Sequence, residues 1–265
     1  VLIAGVVVAL GPYLFVRVGL GAMPEGARWA GGAIAAVGVL GVAYGALCAM
    51  AQPNLRRFVA FASIANAGAA LFGLGSLTPQ GIGGALSGTF AHGLGAALLI
   101  GASAAIERRL RTCELARIGG LGGEAPWIGA IAGVGLVVSL GVPGAAGFWG
   151  VFLSLVGGFV RHPVLALLLA GSFVIHAAAH FRVARLVLLG RLDAGWRRSA
   201  LLEPLGGRVP DATARELGAL APVAAVALLL GLYPAPLLSS LAGAVRDVSF
   251  VADPAGLAPQ NGDSR

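Results

Sequence analysis

Apolar residues fall in seven long blocks, roughly 1–20, 29–51, 55–76, 80–105, 126–160, 163–190 and 215–243, and most of the arginines lie between these blocks or near their ends. A bilayer core about 30 Å thick takes about 20 apolar residues of helix to cross. The pattern predicts an all-α, polytopic membrane protein of about seven transmembrane helices. The fifth block is unusual: at about 1.5 Å per residue it would reach beyond about 50 Å, and Gly141-Val142-Pro143-Gly144 lies near its middle. Proline removes an amide donor and glycine weakens helix continuity, so two half-helices joined by a break at Gly141, Pro143 and Gly144 are expected, with two short re-entrant segments as the alternative. The freed backbone groups must face protein or a wet cavity, never lipid.

Thr213-Ala214-Arg215-Glu216 has the spacing of a capping box and starts the last block. Residues 1–245 read as one transmembrane helical domain and 246–265 as a polar C-terminal tail with Pro254 and Pro259. The chain opens on Val1-Leu2-Ile3 inside a block, which predicts further residues upstream. If the seven spans alternate, one side receives Arg56, Arg57, Arg108, Arg109, Arg111, Arg117, Arg182, Arg185, Arg191, Arg197, Arg198, Arg208 and Arg215, and the other keeps Arg17, Arg28, Arg161, Arg246 and Arg265. The positive-inside rule assigns the first side to the cytoplasm and the C-terminal tail to the periplasm or its equivalent.

Composition narrows the class further. Hydrophobic residues make up 58% of the chain and charged residues 11%, and 43 of 265 residues are glycine, which suits close helix contact in lipid and excludes a soluble domain. The net charge of +7 comes from arginines beside apolar blocks, where basic groups set topology and meet lipid headgroups, so nucleic acid is not the partner. Lysine is absent, and with it any chemistry that needs an amine of tunable pKa. Cys48 and Cys113 form no CxxC pair, so no disulfide framework, iron–sulfur site or other cofactor is indicated on this chain.

Ionisable groups retained inside a span are costly, which makes them functional candidates. His92, near the centre of the fourth block, is the first; it suits a proton relay or a neutral hydrogen bond across a helix interface. His176 and His180 share a helix face at the spacing of a two-histidine metal site, but no third ligand is evident, and with Arg182 following they read as an interfacial polar face, not a metal site. All eleven acidic residues fall in loops or at span ends, so a carboxylate relay through the bilayer cannot be built from this chain alone. Small-residue pairs such as Gly41 with Gly45 and Gly84 with Gly88 predict helix contact.

The order of several short motifs resembles the antiporter-like subunits of proton-pumping NADH:quinone oxidoreductase, respiratory complex I, and most of all the C-terminal half of subunit M. Tyr44-Gly45-Ala46, followed by Asn54-Leu55-Arg56-Arg57-Phe58-Val59-Ala60-Phe61-Ala62-Ser63, resembles the family's YGA and DLKRLIAYSS segments, with Arg56 in place of lysine. Ala91-His92-Gly93-Leu94 resembles AHGL, and Glu107-Arg108 with the run from Arg111 to Leu121 resembles the YER and HTREIARYGGL loop. Ser139-Leu140-Gly141-Val142-Pro143-Gly144, continuing to Gly147-Phe148, resembles the SLGLPGLSGF break of a discontinuous helix, and Gly231-Leu232-Tyr233-Pro234 resembles GFYP. The resemblance implies a membrane-arm subunit of a bacterial inner membrane or equivalent energy-transducing membrane, partnered by other membrane-arm subunits, with NADH and quinone chemistry elsewhere. It implies a proton path that includes His92 and Arg56. It also implies that the path is degenerate, because the family's intramembrane lysine falls at Ala9 and its glutamate at Val151. The space beside those two residues is expected to be apolar and dry. The other readings are a non-conducting structural subunit, or the antiporter-like subunit of a membrane hydrogenase, a cation/proton antiporter or an inorganic-carbon uptake complex.

Overall fold

The computed structural model describes residues 8–192, 194–197 and 199–252; the side chains of Ala9, Ala194, Arg197, Leu205 and residues 250–252 lie outside that description, as do Arg198 and Arg265 of the arginine count. The described residues are helical throughout, apart from turns and one isolated bridge between Asn54 and Glu114. Helix α1 (Val8–Leu14) contains Pro12 and continues as π-helical turns over Phe15–Leu20. The chain then forms α2 (Pro24–Ala51), α3 (Leu55–Gly75) and α4 (Pro79–Leu110), three long apolar helices. A single turn, α5 (Leu121–Glu124), precedes α6 (Pro126–Leu140), α7 (Ala146–Arg161) and α8 (Pro163–Leu188). After the short α9 (Ala194–Arg197) come α10 (Ala214–Leu232) and α11 (Ala235–Ala252).

Five of these, α2, α3, α4, α8 and α10, are long and apolar enough to cross a membrane, so the chain is an all-α polytopic membrane protein. Helices α6 and α7, at 15 and 16 residues, are each shorter than a full crossing. The seventh apolar block differs from expectation. It is two helices, because Pro234 has no amide to continue the α10 ladder, and α11 runs on through residue 246 as far as Ala252. Residues 253–265 of the tail lie outside the described residues.

Local chemistry starts the helices. Proline occupies the first turn of α2, α4, α6 and α8, where its missing N–H has no intrahelical partner to lose. Asn54 caps α3, its Oδ1 accepting from the amides of Arg56 at 3.0 Å and Arg57 at 3.4 Å. Asn54→Ala is expected to cost about 1 kcal/mol, read as a lowered melting temperature of the purified protein; an unchanged value would show that the loop, not the cap, fixes this end. The capping box at α10 is complete: Glu216 N donates to Thr213 Oγ1 at 3.3 Å, and Thr213 N donates to Glu216 Oε2 at 2.8 Å. The start of α6 is capped from a distance, since the Asp211 carboxylate accepts from Trp127 N at 3.0 Å and Ile128 N at 3.2 Å.

Helix α4 is the centre of the bundle and packs against α3, α6, α7, α10 and α11. Small residues allow its closest approach. A side chain at Gly84 would meet the Ser154 backbone of α7, and one at Gly150 would meet Gly88. Gly45 likewise faces the backbone at Phe61 and Ala65, and Gly41 approaches Gly68, so the predicted small-residue seams are helix contacts. The polar segment before α10 is tied to α4 by Arg109, which donates to the carbonyls of Ala105, Pro210 and Asp211 and to both carboxylate oxygens of Glu216.

Candidate functional site

His92 sits on the inner face of α4 and is 7% exposed. It borders a cavity of about 10 Å³ whose other polar side chains are Asn66 of α3 and Ser154 of α7. That is room for about one water. Val151 of α7, Val138 of α6 and Ala69 and Ala70 of α3 line the same space, with glycines at 84, 88, 147 and 150. The cavity therefore exists because α4 and α7 meet through glycine: backbones touch there, and no side chain fills the gap between His92 and Val151. The expectation of an apolar wall beside Val151 is corrected, since His92, Asn66 and Ser154 share the space. Ala9 lies in α1, and its side chain is outside the described residues.

A second polar group begins at Asn66. Its amide Nδ2 donates to the Ala62 carbonyl at 3.1 Å and across to Ser139 at the end of α6, reaching the carbonyl at 3.2 Å and Oγ at 3.4 Å. Ser139 Oγ lies 3.1 Å from Nε2 of His180, whose Nδ1 is 2.9 Å from the backbone carbonyl of His176. A carbonyl only accepts, so neutral His180 carries its proton on Nδ1, and its Nε2 accepts from the Ser139 hydroxyl. The two imidazole rings are 4.3 Å apart between centroids. His176 and His180 are 0% and 2% exposed, so the expected interfacial polar face is instead an interior one, turned toward α3 and α6. Edge contacts hold both rings, Phe173 against His176 at 5.4 Å and Phe58 against His180 at 4.9 Å.

Helical backbone stops at Leu140 and resumes at Ala146. Gly141 and Gly144 take φ of 77° and 93°, which glycine adopts at little cost. The carbonyls at the end of α6 stay bonded: Val138 O accepts from Gly141 N at 3.2 Å, and Val137 O from both Gly141 N and Val142 N at 3.2 Å. The break is packed from the side by α10, where Gly231 lies against the Gly144 backbone and its carbonyl accepts from Trp149 Nε1 at 2.9 Å. Backbone freed by the break thus meets protein.

Arg56 is not brought to His92. It lies in the first turn of α3, half exposed and ion-paired with Glu107, ten residues or about 15 Å of helix before Asn66. Cys113, in the loop after α4, is buried; burial first and the Glu107 carboxylate second push its thiol pKa up, against a smaller opposing effect of Arg56, so it is protonated and unreactive. No group of three or more metal-ligating side chains occurs among the described residues.

A family model described as NADH:quinone oxidoreductase/Mrp antiporter, TM, matches residues 1–176. The chain belongs to this family. Subunit M of the NADH-quinone oxidoreductase of Rhodobacter capsulatus is 31% identical over 243 residues, covering 92% of this chain and 46% of that protein. NAD(P)H-quinone oxidoreductase chain 4 1 of Synechococcus sp. (strain JA-3-3Ab) is 33% identical over 258 residues, covering 95% and 47%. Among solved structures, a chain of respiratory complex I from Thermus thermophilus superposes with a TM-score of 0.83 at 27% identity, over 92% of this chain and 49% of that one. A chain of the Mrp complex from Dietzia sp. DQ12-45-1b shares the fold, with a TM-score of 0.76 at 19% identity over 93% and 52%. The antiporter-like chain described here spans about half the length of the relatives it matches.

The side chains that sequence spacing did not connect are Asn66 and Ser139. Asn66 gave no signal beyond being polar within an apolar block, and Ser139 looked like a residue flanking the break. Bonds across 73 and 41 residues of chain make them partners of each other and of His180.

Proposed function

We propose that this chain corresponds to the C-terminal half of an antiporter-like subunit in the membrane arm of a proton-translocating NADH:quinone oxidoreductase. It carries no redox chemistry of its own and works beside other membrane-arm subunits, in a bacterial inner membrane or an equivalent energy-transducing membrane. On this reading α6 and α7 are the two halves of one discontinuous span. With α1, α2, α3, α4, α8 and α10 they make seven crossings, and the arginine-rich loops face the cytoplasm. The proton path of this half is degenerate. Ala9 and Val151 stand where the resemblance implies charge, and among the described residues His92 is the one ionisable side chain lining the central cavity.

The observation that carries this reading is the shared cavity of His92 and Val151 at the α4–α7 crossing. A single imidazole beside about one water can take up and release a proton, which a valine cannot. Arg56, paired with Glu107, then acts at the cytoplasmic mouth and not at the midplane. A scaffold that moves nothing is the second reading, favoured by the small size of the cavity. The intact complex reconstituted in vesicles separates the two. His92→Ala is expected to lower the number of protons moved per quinone reduced while quinone reduction continues, and His92→Gln to do the same with assembly preserved. An unchanged ratio in both variants leaves the scaffold.

A further inference from the structure

The motifs that carry the family resemblance leave the His176–His180 pair unused. Both imidazoles lie deep in the bundle, and the ring nitrogens of His176 make no hydrogen bond of full geometry, although the Ser139 backbone lies beside the ring. A buried polar group without a partner costs free energy, so its retention calls for a reason. Packing alone is a weak one, because an apolar side chain of similar size would fill the same space against Phe173 without that cost. The pair is also not isolated. It joins the central cavity through His180, Ser139 and Asn66.

We propose that His180 and His176 form a second proton-carrying site, a branch that leaves the His92 cavity by way of Ser139 and runs along α8. The inference rests on the reading that this half of the subunit handles protons. Helix α8 leads from these histidines toward Arg182 and Arg185, so the branch points to the arginine-rich side. Each transfer balances. Neutral His180 takes the Ser139 hydroxyl proton on Nε2 and becomes an imidazolium, while Ser139 Oγ regains a proton from a hydronium ion, which is left as water. The imidazolium then loses its Nδ1 proton to an open ring nitrogen of His176. Net, one proton and one positive charge pass from the hydronium ion to His176, and His180 is left neutral with its proton on Nε2. Asn66, an amide of negligible basicity, orients the serine by donating to it and is a positioning residue.

The test uses the whole complex in vesicles, with proton uptake followed by a pH dye and histidine protonation by infrared difference spectra during turnover. His176→Gln and His180→Gln are expected to remove imidazole bands from the difference spectrum and the uptake phase that accompanies them. If His180→Gln fails to assemble, Ser139→Ala, which removes only the hydroxyl oxygen, is expected to uncouple the same bands from uptake. Bands and uptake unchanged in these variants, with His92→Ala still lowering uptake, would overturn the branch and leave the His92 reading standing. If His92→Ala is silent as well, both fall.

Discussion

Replacing Arg109 with methionine is expected to detach the polar segment before α10 from α4 and to cost about 3–5 kcal/mol, the range for removing one partner of a buried ion pair. The side chains of Arg109 and Glu216 are 9% and 11% exposed. The guanidinium makes a two-pronged contact with that carboxylate, at 3.1 Å and 2.8 Å, and also donates to Pro210 O at 2.6 Å, Asp211 O at 2.7 Å and Ala105 O at 2.9 Å. Methionine fills similar space but removes the guanidinium from three carbonyls and from the carboxylate, which keeps only its Thr213 donors. Arg108 is a poor substitute, 3.7 Å from Glu216 with 71% of its side chain exposed. The damage spreads, because Asp211 caps α6 and Glu216 completes the capping box of α10. Glu216→Gln should be milder, since the arginine keeps its three carbonyl acceptors. Melting temperature and protease cleavage between residues 191 and 213 measure both effects. An Arg109→Met protein as stable and as resistant as wild type would refute the clasp.

How far the sequence reached is clear from particular residues. Alternation of apolar blocks with arginine-rich loops located the long helices, because the bilayer sets a length that composition can be read against. The Thr213–Glu216 box was legible because capping is local, with every atom within four residues. The end of α10 was not, although Pro234 marks it, because apolar residues resume directly after it through Leu238. Contacts made across the chain were invisible in principle. Nothing in the spacing of Asp211 says that it caps a helix more than eighty residues earlier, and nothing near Asn66 says that Ser139 will stand beside it. His92 could be singled out by the cost of an imidazole in hydrocarbon, but its cavity depends on where glycines of two helices meet, and only the fold decides that.

That meeting point carries the second large effect. A side chain at Gly150 would overlap the Gly88 Cα and N, and both of those atoms belong to backbone, so no rotamer change relieves the clash. Gly150→Ala is therefore expected to push α4 and α7 apart, at a cost near the upper end of the about 1–3 kcal/mol typical of overpacking. Gly171→Ala is the matched control. It lies in α8 with nothing within 4 Å of the added methyl, and alanine favours helix over glycine by about 1 kcal/mol, so that variant should be neutral or slightly more stable. The functional consequence follows from the same geometry. Gly88 and Gly150 both line the cavity beside His92, and separating them enlarges a space that holds about one water. A wider, polar-lined space admits a chain of water, which conducts protons without regard to turnover. Vesicles carrying Gly150→Ala complexes should thus lose an imposed pH gradient faster than wild type, and the double variant Gly150→Ala with His92→Leu should leak less than Gly150→Ala alone. Equal leak in wild type and Gly150→Ala, with assembly intact, would mean that the α4–α7 contact does not seal this site.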